Sequence, residues 1–432
     1  MDQPPTERDP LHLETVSGRF DLELAPPGSK SLTNRALLLA ALANGRSVLR
    51  APLVSADTSG LLEALGQLGA SCMIDGSDWH LAGVGGRFPR GGVVNLGDGG
   101  TPARFMLAAA ALAEGSVTVD GSARMRERPV AEGVELLRAL GVSLAGTGAP
   151  EGLPVKVEPW SPATGGHLAV GRTASSQFIS ALLLIAPWTR DGITIECTEP
   201  PTSRTYLELT TQLLRQLGAV VSCDDQTRIA VGSGGLAPFD LAIEPDASSA
   251  IYWWAAAAMV PGARVSVPIP SGSVQPDLQA LTLLEQLGAT VERSERSVTV
   301  IGPDRLHGAR LDAEACPDAA VMLAVVCACA TGCSRIDGLH TLRVKETDRI
   351  HALASELGKT GCGVVEHPDA IEIDPSTSTQ GPIQVHTWND HRIAMAFGVL
   401  GLVRPDVRIE DPGCVGKSYP GFWTDRARLV HS

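Results

Sequence analysis

Residues 283–302 read LLEQLGATVERSERSVTVIG, and this segment shows the local pattern on which the fold prediction depends. Its leucines lie three and four positions apart, so they form one apolar stripe on a helix, and Gly288 can take the left-handed conformation that ends a helix. Two short runs of alternating β-branched residues follow, with a polar turn at Ser294 and Glu295 between them. This alternation is typical of a β-hairpin. The stretch therefore predicts one helix followed by one hairpin.

The same helix ending recurs along the chain. Related stretches begin at Leu61, Leu136 and Leu213, and a weaker copy begins at Leu353. Successive closing glycines are 72, 77, 70 and 70 residues apart, and they are Gly69, Gly141, Gly218, Gly288 and Gly358. One copy would be an ordinary helix ending, but five nearly even copies indicate an internal repeat.

The repeat predicts about six helix-and-sheet units. Residues 218–232 repeat the hairpin pattern with Asp224 and Asp225 at the turn, and a sixth unit is expected to begin near Pro420. A period of about 70 residues is longer than common solenoid repeats. Two globular halves are therefore the more compact arrangement.

Composition limits the possible partners of the chain. The 432 residues are 44% hydrophobic and 19% charged, which suits a globular protein of two or three domains. The net charge of −13 disfavours nucleic acid or an anionic membrane as the main partner. The N-terminal residues MDQPPTERDP show no signal-peptide pattern, and the apolar runs are too short to span a bilayer. We therefore expect a soluble, cytoplasmic protein that binds neither nucleic acid nor membrane.

The nine cysteines favour a reducing compartment. None are paired as Cys-x-x-Cys, and the cluster Cys327, Cys329 and Cys333 has no histidine within its apolar run. Buried small apolar residues are therefore expected there, rather than a metal or redox site.

The first chemical motif is PPGSKSLTNRALLLAAL, residues 26–42. An apolar helix is expected to begin near Thr33. Lys30, Ser31 and Arg35 would then gather at a helix N-terminus, where free backbone N–H groups favour an anion. The spacing of a P-loop is absent.

Further motifs each have an ordinary structural explanation, such as a glycine turn, a helix cap or a solvated charged face. They are NLGDGGTPARF (95–105), ARMRERP (123–129), TASSQF (173–178), LRVKETDRI (342–350), WNDHRIAMA (388–396) and CVGKSYPGFW (414–423). The glycines of the first would let the backbone approach a ligand closely. If LRVKETDRI is helical, Lys345 and Arg349 lie on one face.

Taken together and in this order, the motifs closely resemble one family, the shikimate-pathway enolpyruvyl transferases that make 5-enolpyruvylshikimate-3-phosphate (EPSP synthases). Its two most specific signatures stand complete as PGSKSLTNR at 27–35 and LRVKETDR at 342–349. Shorter matches extend the resemblance over nearly the whole chain: SSQ from Ser175, EPDASSA from Glu244, PDAA from Pro317, DHR from Asp390 and KSYP from Lys417.

The resemblance implies an α/β fold of two domains, the inside-out α/β barrel of enolpyruvyl transferases. Each domain would hold three of six helix-and-sheet units, in agreement with the repeat found independently. Residues 29–243 would form an inserted domain, and residues 1–28 with 244–432 the second one. The active site is expected in the cleft between them.

The implied reaction moves the enolpyruvyl group of phosphoenolpyruvate to the 5-hydroxyl of shikimate-3-phosphate, by addition and elimination through a tetrahedral intermediate. The family match offers Asp318 as base, Glu346 as the acid at C3 of phosphoenolpyruvate, and Lys30 as a further partner in proton transfer. No metal or organic cofactor is expected. The family also implies a monomer, and glyphosate as an inhibitor that fits beside Gly100.

The resemblance assigns binding roles by matching positions. Shikimate-3-phosphate would be bound by Lys30, Ser31, Arg35, Ser175, Ser176, Gln177, Ser203, Tyr206, Asp318, Thr341 and Lys345. Phosphoenolpyruvate would be bound by Lys30, Gly100, Arg128, Gln177, Arg349, Arg392 and Lys417. Arginine forks match the geometry of the carboxylates and phosphates that the two substrates carry.

Two positions depart from the family pattern. Asp98 and Thr341 stand where many members have asparagine. A lost hydrogen bond to a charged group is worth roughly 1.5–3 kcal/mol. We therefore expect activity with a raised Michaelis constant, which Asp98→Asn would lower.

Three alternative functions fit the sequence less well. A transferase acting on UDP-N-acetylglucosamine would carry a lysine–asparagine pair where this chain has Lys30 and Ser31, and usually a reactive cysteine in the loop 123–129. An inactive homologue serving as a binding protein conflicts with the intact Lys30, Asp318 and Glu346. A structural repeat protein would not explain the cations beside glycine-rich turns.

Overall fold

The computed structural model describes residues 9–146, 152–224, 227–379 and 381–432. The chain divides into two compact units. The inserted unit is Gly28–Ile243, and the terminal unit combines the described residues up to Pro27 with Glu244–Ser432. Gly28 belongs to the inserted unit, one residue before the boundary of 29–243 that was expected from the sequence. A Cβ at Gly28 would lie 2.4 Å from the backbone oxygen of Ala51, so this glycine packs against the strand that follows the first helix.

The described residues form thirteen α-helices. They are α1 (Lys30–Leu42), α2 (Ala56–Leu68), α3 (Gly100–Ala110), α4 (Ala123–Glu127), α5 (Ala131–Ala139), α6 (Ser176–Ile185), α7 (Arg204–Gln216), α8 (Ala247–Met259), α9 (Ala280–Gln286), α10 (Ala320–Ala328), α11 (Arg349–Gly358), α12 (His391–Leu400) and α13 (Phe422–Val430).

The strands are numbered in the same way. They are β1 (Leu11–His12), β2 (Asp21–Glu23), β3 (Arg46–Arg50), β4 (Ser71–Asp75), β5 (Asp78–Ala82), β6 (Gly92–Asn95), β7 (Val117–Asp120), β8 (Leu144–Gly146), β9 (Val155–Val157), β10 (Gly166–Val170), β11 (Ile193–Cys197), β12 (Val221–Asp224), β13 (Arg228–Val231), β14 (Asp240–Ala242), β15 (Arg264–Val267), β16 (Thr290–Arg293), β17 (Val298–Ile301), β18 (Arg310–Asp312), β19 (Ser334–Asp337), β20 (Gly363–Glu366), β21 (Ile371–Asp374), β22 (Ile383–Val385) and β23 (Val407–Ile409).

The strands form six sheets, three in each unit, and the predicted six-fold repeat is confirmed. Five sheets share one pattern, in which two parallel strands are followed by an antiparallel hairpin. The orders in the inserted unit are β14-β3-β5-β4, β6-β7-β9-β8 and β10-β11-β13-β12, and those in the terminal unit are β16-β17-β15-β2, β18-β19-β21-β20 and β1-β23-β22. A complete repeat therefore reads strand, helix, strand, helix, hairpin, except that β14, which supplies the first strand beside β3, comes from the end of the inserted unit.

Two strands show how the inserted unit joins the chain. β2 pairs in parallel with β15, although the whole inserted unit lies between them in sequence. β14, at the end of the inserted unit, pairs in parallel with β3 near its beginning. The insertion thus falls inside one repeat, between its first strand and its first helix.

The sixth repeat differs from the prediction of a unit beginning near Pro420. It begins at β22, and its last described element is the helix α13. The N-terminal strand β1 instead pairs antiparallel with β23, where Leu11 lies opposite Ile409. A strand from the other end of the chain therefore covers an edge that would otherwise be exposed.

Each repeat has one buried helix, and the first five glycine-closed copies each add an amphipathic helix. The buried helices are α1, α3, α6, α8, α10 and α12, and they form the cores of the two units. The amphipathic helices α2, α5, α7, α9 and α11 carry the leucine stripe found in the sequence. Four of the predicted closing glycines have positive φ, and these are Gly69, Gly141, Gly218 and Gly288.

The weak fifth copy ends differently. Gly358 is the last residue of α11, and Gly361 takes the left-handed conformation instead, with φ of 83°. Its amide donates to the Gly358 carbonyl at 3.0 Å. The hairpin predicted at residues 218–232 forms from β12 and β13, while Asp225 at its turn lies outside the described residues.

The predicted burial of the cysteine cluster is confirmed only in part. Cys327 is buried, Cys329 is half-buried and Cys333 is exposed, because α10 ends at Ala328 and the chain turns towards β19. All nine cysteines lie in described segments and are free thiols. Within those segments no group of acidic, cysteine and histidine side chains could hold a metal ion. None of the helices in the described segments has the length and hydropathy of a membrane span.

Candidate active site

The inserted unit presents its predicted binding residues at the starts of buried helices. α1 begins at Lys30, three residues earlier than expected, because the Ser29 carbonyl already accepts a hydrogen bond from the Thr33 amide at 2.8 Å. Lys30 Nζ lies 3.2 Å from Oδ2 of Asp57, a buried residue near the start of α2. Asp57 was not predicted, and no local sequence signal connects it to Lys30.

Arg35 is buried and connects neighbouring side chains of the inserted unit. It is 1% exposed, and its Nε donates to Thr210 Oγ1 at 2.8 Å while its Nη1 donates to the Ser31 carbonyl at 3.0 Å. Its guanidinium also lies 6.0 Å from the ring of Tyr206. Burial lowers the pKa of Arg35 to about 10, against a smaller raising effect from Tyr206. Arg35 therefore fixes Ser31 and Tyr206 relative to each other.

At the start of α3, Gly100 lies against Arg128. Arg128 is 5% exposed, and its Nη1 donates to the Asp98 carbonyl at 3.4 Å. The Asp98 carboxylate accepts a hydrogen bond from Ser122, whose hydroxyl caps α4. Asp98 thus helps to hold the short helix that ends next to Arg128.

Only one of the three arginines in ARMRERP is buried. Arg124 pairs with Glu127 and Arg126 with Asp120, both on the surface. Arg128 alone is directed inwards, since it follows the end of α4 in extended conformation. The sequence pattern could not separate these three side chains.

TASSQF forms a capped helix start. Ser175 is the N-cap of α6 and accepts a hydrogen bond from the Gln177 amide, while Ser176 is 3% exposed. The side chain of Gln177 is fixed at both ends: its Oε1 accepts from Arg104 Nη1 at 2.7 Å, and its Nε2 donates to Thr101 Oγ1 at 3.0 Å. Arg104 is a positioning residue that the sequence reasoning missed, although it lies in the quoted NLGDGGTPARF motif.

Ser203 adopts a strained conformation before α7. Its φ is 47° and its ψ is 53°, which is left-handed for a residue other than glycine. Such residues cost about 1–3 kcal/mol and cluster at functional sites. Ser203 is also 9% exposed, and its carbonyl accepts from the Tyr206 amide at 3.0 Å.

The predicted residues of the inserted unit are thus connected by side-chain contacts across four helices. Gln177 joins the first turns of α6 and α3, and Arg35 joins α1 to α7. The N-terminal ends of helices attract anions through their free amides and their dipoles.

The terminal unit holds a dense group of ionic side chains around Asp318. Oδ1 of Asp318 lies 3.0 Å from Arg349 Nη1 and 3.4 Å from Lys345 Nζ, and Oδ2 lies 2.9 Å from Arg392 Nη2. Burial by itself would raise the pKa of the Asp318 carboxyl, but Arg392, Lys345 and Arg349 together hold it well below its usual value. Asp318 is therefore an ionised carboxylate whose basicity is suppressed by three cations.

Arg349 is the centre of this group. It is 1% exposed, and its Nε donates to Asp390 Oδ2 at 2.7 Å while its Nη2 donates to Glu346 Oε2 at 2.9 Å. Burial would lower the pKa of Arg349, but the carboxylates of Asp390, Glu346 and Asp318 outweigh that effect and raise it. The other oxygen of Glu346, Oε1, lies 3.0 Å from Lys417 Nζ.

The LRVKETDR segment is not the continuous helix considered from the sequence. A 3-10 helix covers His340–Val344, Lys345 is extended, and α11 begins only at Arg349. The break has a local cause, because the Asp348 side chain accepts a hydrogen bond from the His351 amide and caps α11. Lys345 and Arg349 reach the same carboxylate without sharing a helix face.

Thr341 is 6% exposed, and its Oγ1 has no hydrogen-bond partner within the described part of the chain. A buried hydroxyl without a partner is uncommon in folded proteins. Thr341 is one of the two positions at which the sequence departs from the pattern of the family that it resembles.

Asp390 begins the DHR match in the sequence, but no role was predicted for it. It is 0% exposed, caps α12 through the Arg392 amide, and pairs with Arg349. The two residues before it, Trp388 and Asn389, both have positive φ, at 58° and 52°. Strain of this kind is retained where the surrounding structure fixes a functional conformation.

Chemically, the terminal unit offers carboxylates that can exchange protons and cations that can bind anions. Four cations, Lys345, Arg349, Arg392 and Lys417, are connected to three carboxylates, Asp318, Glu346 and Asp390. The group is therefore positive by one charge and suits an anionic ligand.

The chain is similar over nearly its whole length to known proteins. A family model described as EPSP synthase (3-phosphoshikimate 1-carboxyvinyltransferase) matches residues 15–425. A 3-phosphoshikimate 1-carboxyvinyltransferase of Syntrophobacter fumaroxidans is 38% identical over 423 residues, which are 96% of this chain and 99% of the relative.

Two solved structures share the fold. An EPSP synthase from Acinetobacter baumannii has a TM-score of 0.79 at 25% identity, covering 97% of each chain. The enolpyruvyl transferase NikO from Streptomyces tendae has a TM-score of 0.77 at 18% identity, covering 98% of this chain and 97% of that one. The predicted enolpyruvyl transferase fold is confirmed, and the chain belongs to the EPSP synthase family.

Proposed function

We propose that this chain transfers the enolpyruvyl group of phosphoenolpyruvate to the 5-hydroxyl of shikimate-3-phosphate, releasing phosphate. The observation that carries the proposal is the position of Asp318 and Glu346, two carboxylates within one group of cations. The reaction needs one base and one acid, and it needs cations to bind the phosphates and carboxylates of its substrates.

In the proposed mechanism the oxygen of the 5-hydroxyl attacks C2 of phosphoenolpyruvate and its proton passes to Asp318. C3 takes a proton from Glu346, which gives the tetrahedral intermediate. In the second half, the bond between C2 and the phosphate oxygen breaks, the phosphate leaves with the proton that Asp318 had accepted, and Glu346 takes a proton back from C3. Lys30 is proposed as a further partner in proton transfer. The two steps together yield one enolpyruvyl ether and one phosphate.

Binding of the anionic substrates would change the properties of both carboxylates. Arg349, Arg392 and Lys417 now neutralise Asp318 and Glu346. A phosphate or carboxylate that engages the same cations would weaken these pairs. Asp318 would then become a stronger base, and Glu346 would hold a proton more readily.

The remaining assignments follow the family match. Ser31, Arg35, Ser175, Ser176, Gln177, Ser203, Tyr206, Thr341 and Lys345 are proposed for shikimate-3-phosphate, together with Lys30 and Asp318. Gly100, Arg128, Gln177, Arg349, Arg392 and Lys417 are proposed for phosphoenolpyruvate, again with Lys30. The proposal requires residues of both units to act on one pair of substrates.

The test is phosphate release by the purified protein. Phosphoenolpyruvate with shikimate-3-phosphate should release phosphate, and phosphoenolpyruvate with UDP-N-acetylglucosamine should not. Asp318→Ala and Lys30→Met should each abolish release. Asp304→Ala is the matched control, because Asp304 is an exposed acidic residue of the terminal unit. Release with UDP-N-acetylglucosamine but not with shikimate-3-phosphate would favour the transferase that acts on UDP-N-acetylglucosamine. Release with neither acceptor would favour an inactive homologue.

Further properties are proposed on the family match. The protein is proposed to act as a cytoplasmic monomer without a cofactor and to be inhibited by glyphosate in competition with phosphoenolpyruvate. Light scattering at assay concentration tests the monomer. A rise in the apparent inhibition constant for glyphosate with phosphoenolpyruvate concentration tests the competition.

A further inference from the structure

Asp277 is a buried carboxyl group of the terminal unit that the proposed mechanism does not use. It is 1% exposed and lies in the 3-10 helix Pro276–Gln279, directly before α9. Its Oδ2 accepts a hydrogen bond from the Ser248 hydroxyl, but its Oδ1 has no hydrogen-bond partner among the described residues. A buried carboxylate that is only half satisfied is unfavourable for folding. Its retention in the core calls for an explanation.

Ser248 connects Asp277 to the candidate base. The Ser248 carbonyl accepts a hydrogen bond from Arg392 Nη1 at 3.4 Å. The other nitrogen of the same guanidinium, Nη2, donates to Asp318 Oδ2 at 2.9 Å. Asp277 and Asp318 are therefore the two ends of one chain of contacts that runs through Ser248 and Arg392.

Several charged and titratable groups act on Asp277. Burial, followed by the charge of Asp318, raises the pKa of Asp277 to about 6, against opposing effects of Arg392 and the Ser248 hydroxyl and with a smaller raising effect of Asp246. Cys316 is uncharged, because burial raises the pKa of its thiol and Asp277, Asp312 and Asp318 add to that effect.

Electrostatic coupling between two groups is reciprocal. If the charge of Asp318 disfavours ionisation of Asp277, then an ionised Asp277 must favour protonation of Asp318 to the same extent. Such an effect would raise the low basicity of Asp318, which Arg392, Lys345 and Arg349 suppress.

We propose that Asp277 is a positioning residue for Asp318: its negative charge, held by Ser248 next to Arg392, makes Asp318 a stronger acceptor for the proton of the attacking hydroxyl. Asp277 forms no bond to the substrates and takes no part in the proton balance. This inference rests on the proposed function, in which Asp318 is the base.

The test compares kcat and KM from pH 5 to pH 9 in the wild type and Asp277→Asn. The asparagine keeps the shape and an oxygen that can accept from Ser248, but it cannot be charged. At pH 8 we expect kcat to fall about three- to tenfold, corresponding to at most about one pKa unit of lost basicity. KM for both substrates should change less than about twofold. We expect wild-type kcat to fall as pH drops through about 6, and we expect this fall to be absent from the variant.

Ser248→Ala is a second, independent variant. It keeps the carbonyl that receives Arg392 but removes the hydroxyl that stabilises the ionised Asp277. The pKa of Asp277 should rise further, and the acid limb of kcat should move to higher pH, which is the opposite of its disappearance in Asp277→Asn. If Asp277→Asn does not fold, this shift of the acid limb in Ser248→Ala tests the inference, and an unshifted limb would overturn it.

Glu356→Gln is the matched control, because Glu356 is a buried carboxylate of the same unit that pairs with Lys359. It should lose stability but keep the wild-type acid limb. An unchanged limb near pH 6 in Asp277→Asn would overturn the inference. By contrast, an inactive wild type, or activity remaining in Asp318→Ala, would overturn the proposed function itself.

Discussion

Gly100 and Arg128 lie so close together that no methyl group fits between them. A Cβ added to Gly100 would lie 2.7 Å from both Nη1 and Nη2 of Arg128, closer than real Cβ contacts. Arg128 is buried, and Gly100 is the first residue of α3. A cation next to a helix N-terminus is unfavourable by itself, since the helix dipole is positive there. If phosphoenolpyruvate binds here as proposed, its negative charge offsets this cost.

Gly100→Ala should therefore weaken the binding of phosphoenolpyruvate. The methyl group must displace the Arg128 guanidinium, and a hydrogen bond to a charged group is worth about 1.5–3 kcal/mol. We expect KM for phosphoenolpyruvate to rise about tenfold or more, with a smaller change in KM for shikimate-3-phosphate. Steady-state kinetics measure both values. Gly60→Ala is the control, because the nearest atom to a Cβ there is 4.0 Å away. Equal kinetics of the two variants would contradict the prediction.

Arg104→Lys should disturb Gln177 without removing a charge. The arginine fork donates to Gln177 Oε1 and to the Pro129 carbonyl, which a lysine cannot reproduce in the same geometry. We expect a KM increase of about three- to tenfold for at least one substrate. The double variant with Gln177→Ala should be no worse than Gln177→Ala alone, since both changes remove the same interaction. Additive losses would show that Arg104 acts independently of Gln177.

Asp390→Asn should strongly destabilise the terminal unit. Asp390 and Arg349 are both almost completely buried, and removing one partner of a buried ion pair costs about 3–5 kcal/mol. Urea unfolding at pH 7 measures the loss. Asp337→Asn is the control, because Asp337 pairs with Arg310 and Arg335 near the surface, where such pairs are worth at most about 1 kcal/mol. A loss in Asp390→Asn as small as that of the control would contradict the prediction.

The repeated units could be predicted from sequence because their signals are local. The leucine stripe and its closing glycine lie within one helix and one turn, as at Leu283 and Gly288. The sixth sheet could not be predicted in this way. Its last strand comes from the opposite end of the chain, where Leu11 pairs with Ile409.

The residues of the candidate site could be predicted mainly from sequence motifs. The helical spacing gave a wrong prediction at Lys345, because the Asp348 cap starts a new helix after it. It also failed at Asp57 and Asp390, whose partners Lys30 and Arg349 are 27 and 41 residues away in sequence. Pairs of this kind are set by tertiary packing. Asp277 belongs to the same class, because its sequence context is that of an ordinary helix start.

Asp277→Asn should make the protein more stable at high pH. The pKa of Asp277 is raised to about 6 in the folded protein, above its value of about 3.9 in an unfolded chain. For an acid whose pKa is raised by folding, wild-type stability is greatest below the unfolded-state pKa and falls as pH rises through the folded-state pKa. Asparagine does not titrate, so the variant escapes this loss.

The expected gain of Asp277→Asn over the wild type is roughly 2 kcal/mol at pH 8, relative to the difference between the two proteins at pH 4. Urea unfolding at pH 4, 5, 6, 7 and 8 measures it, with Asp304→Asn as the exposed control that should show no such trend. A gain that does not grow between pH 4 and pH 7 would mean that Asp277 does not titrate in this range. A gain in stability together with the lower kcat proposed above would show that the folded protein retains an unfavourable buried charge because the charge serves catalysis.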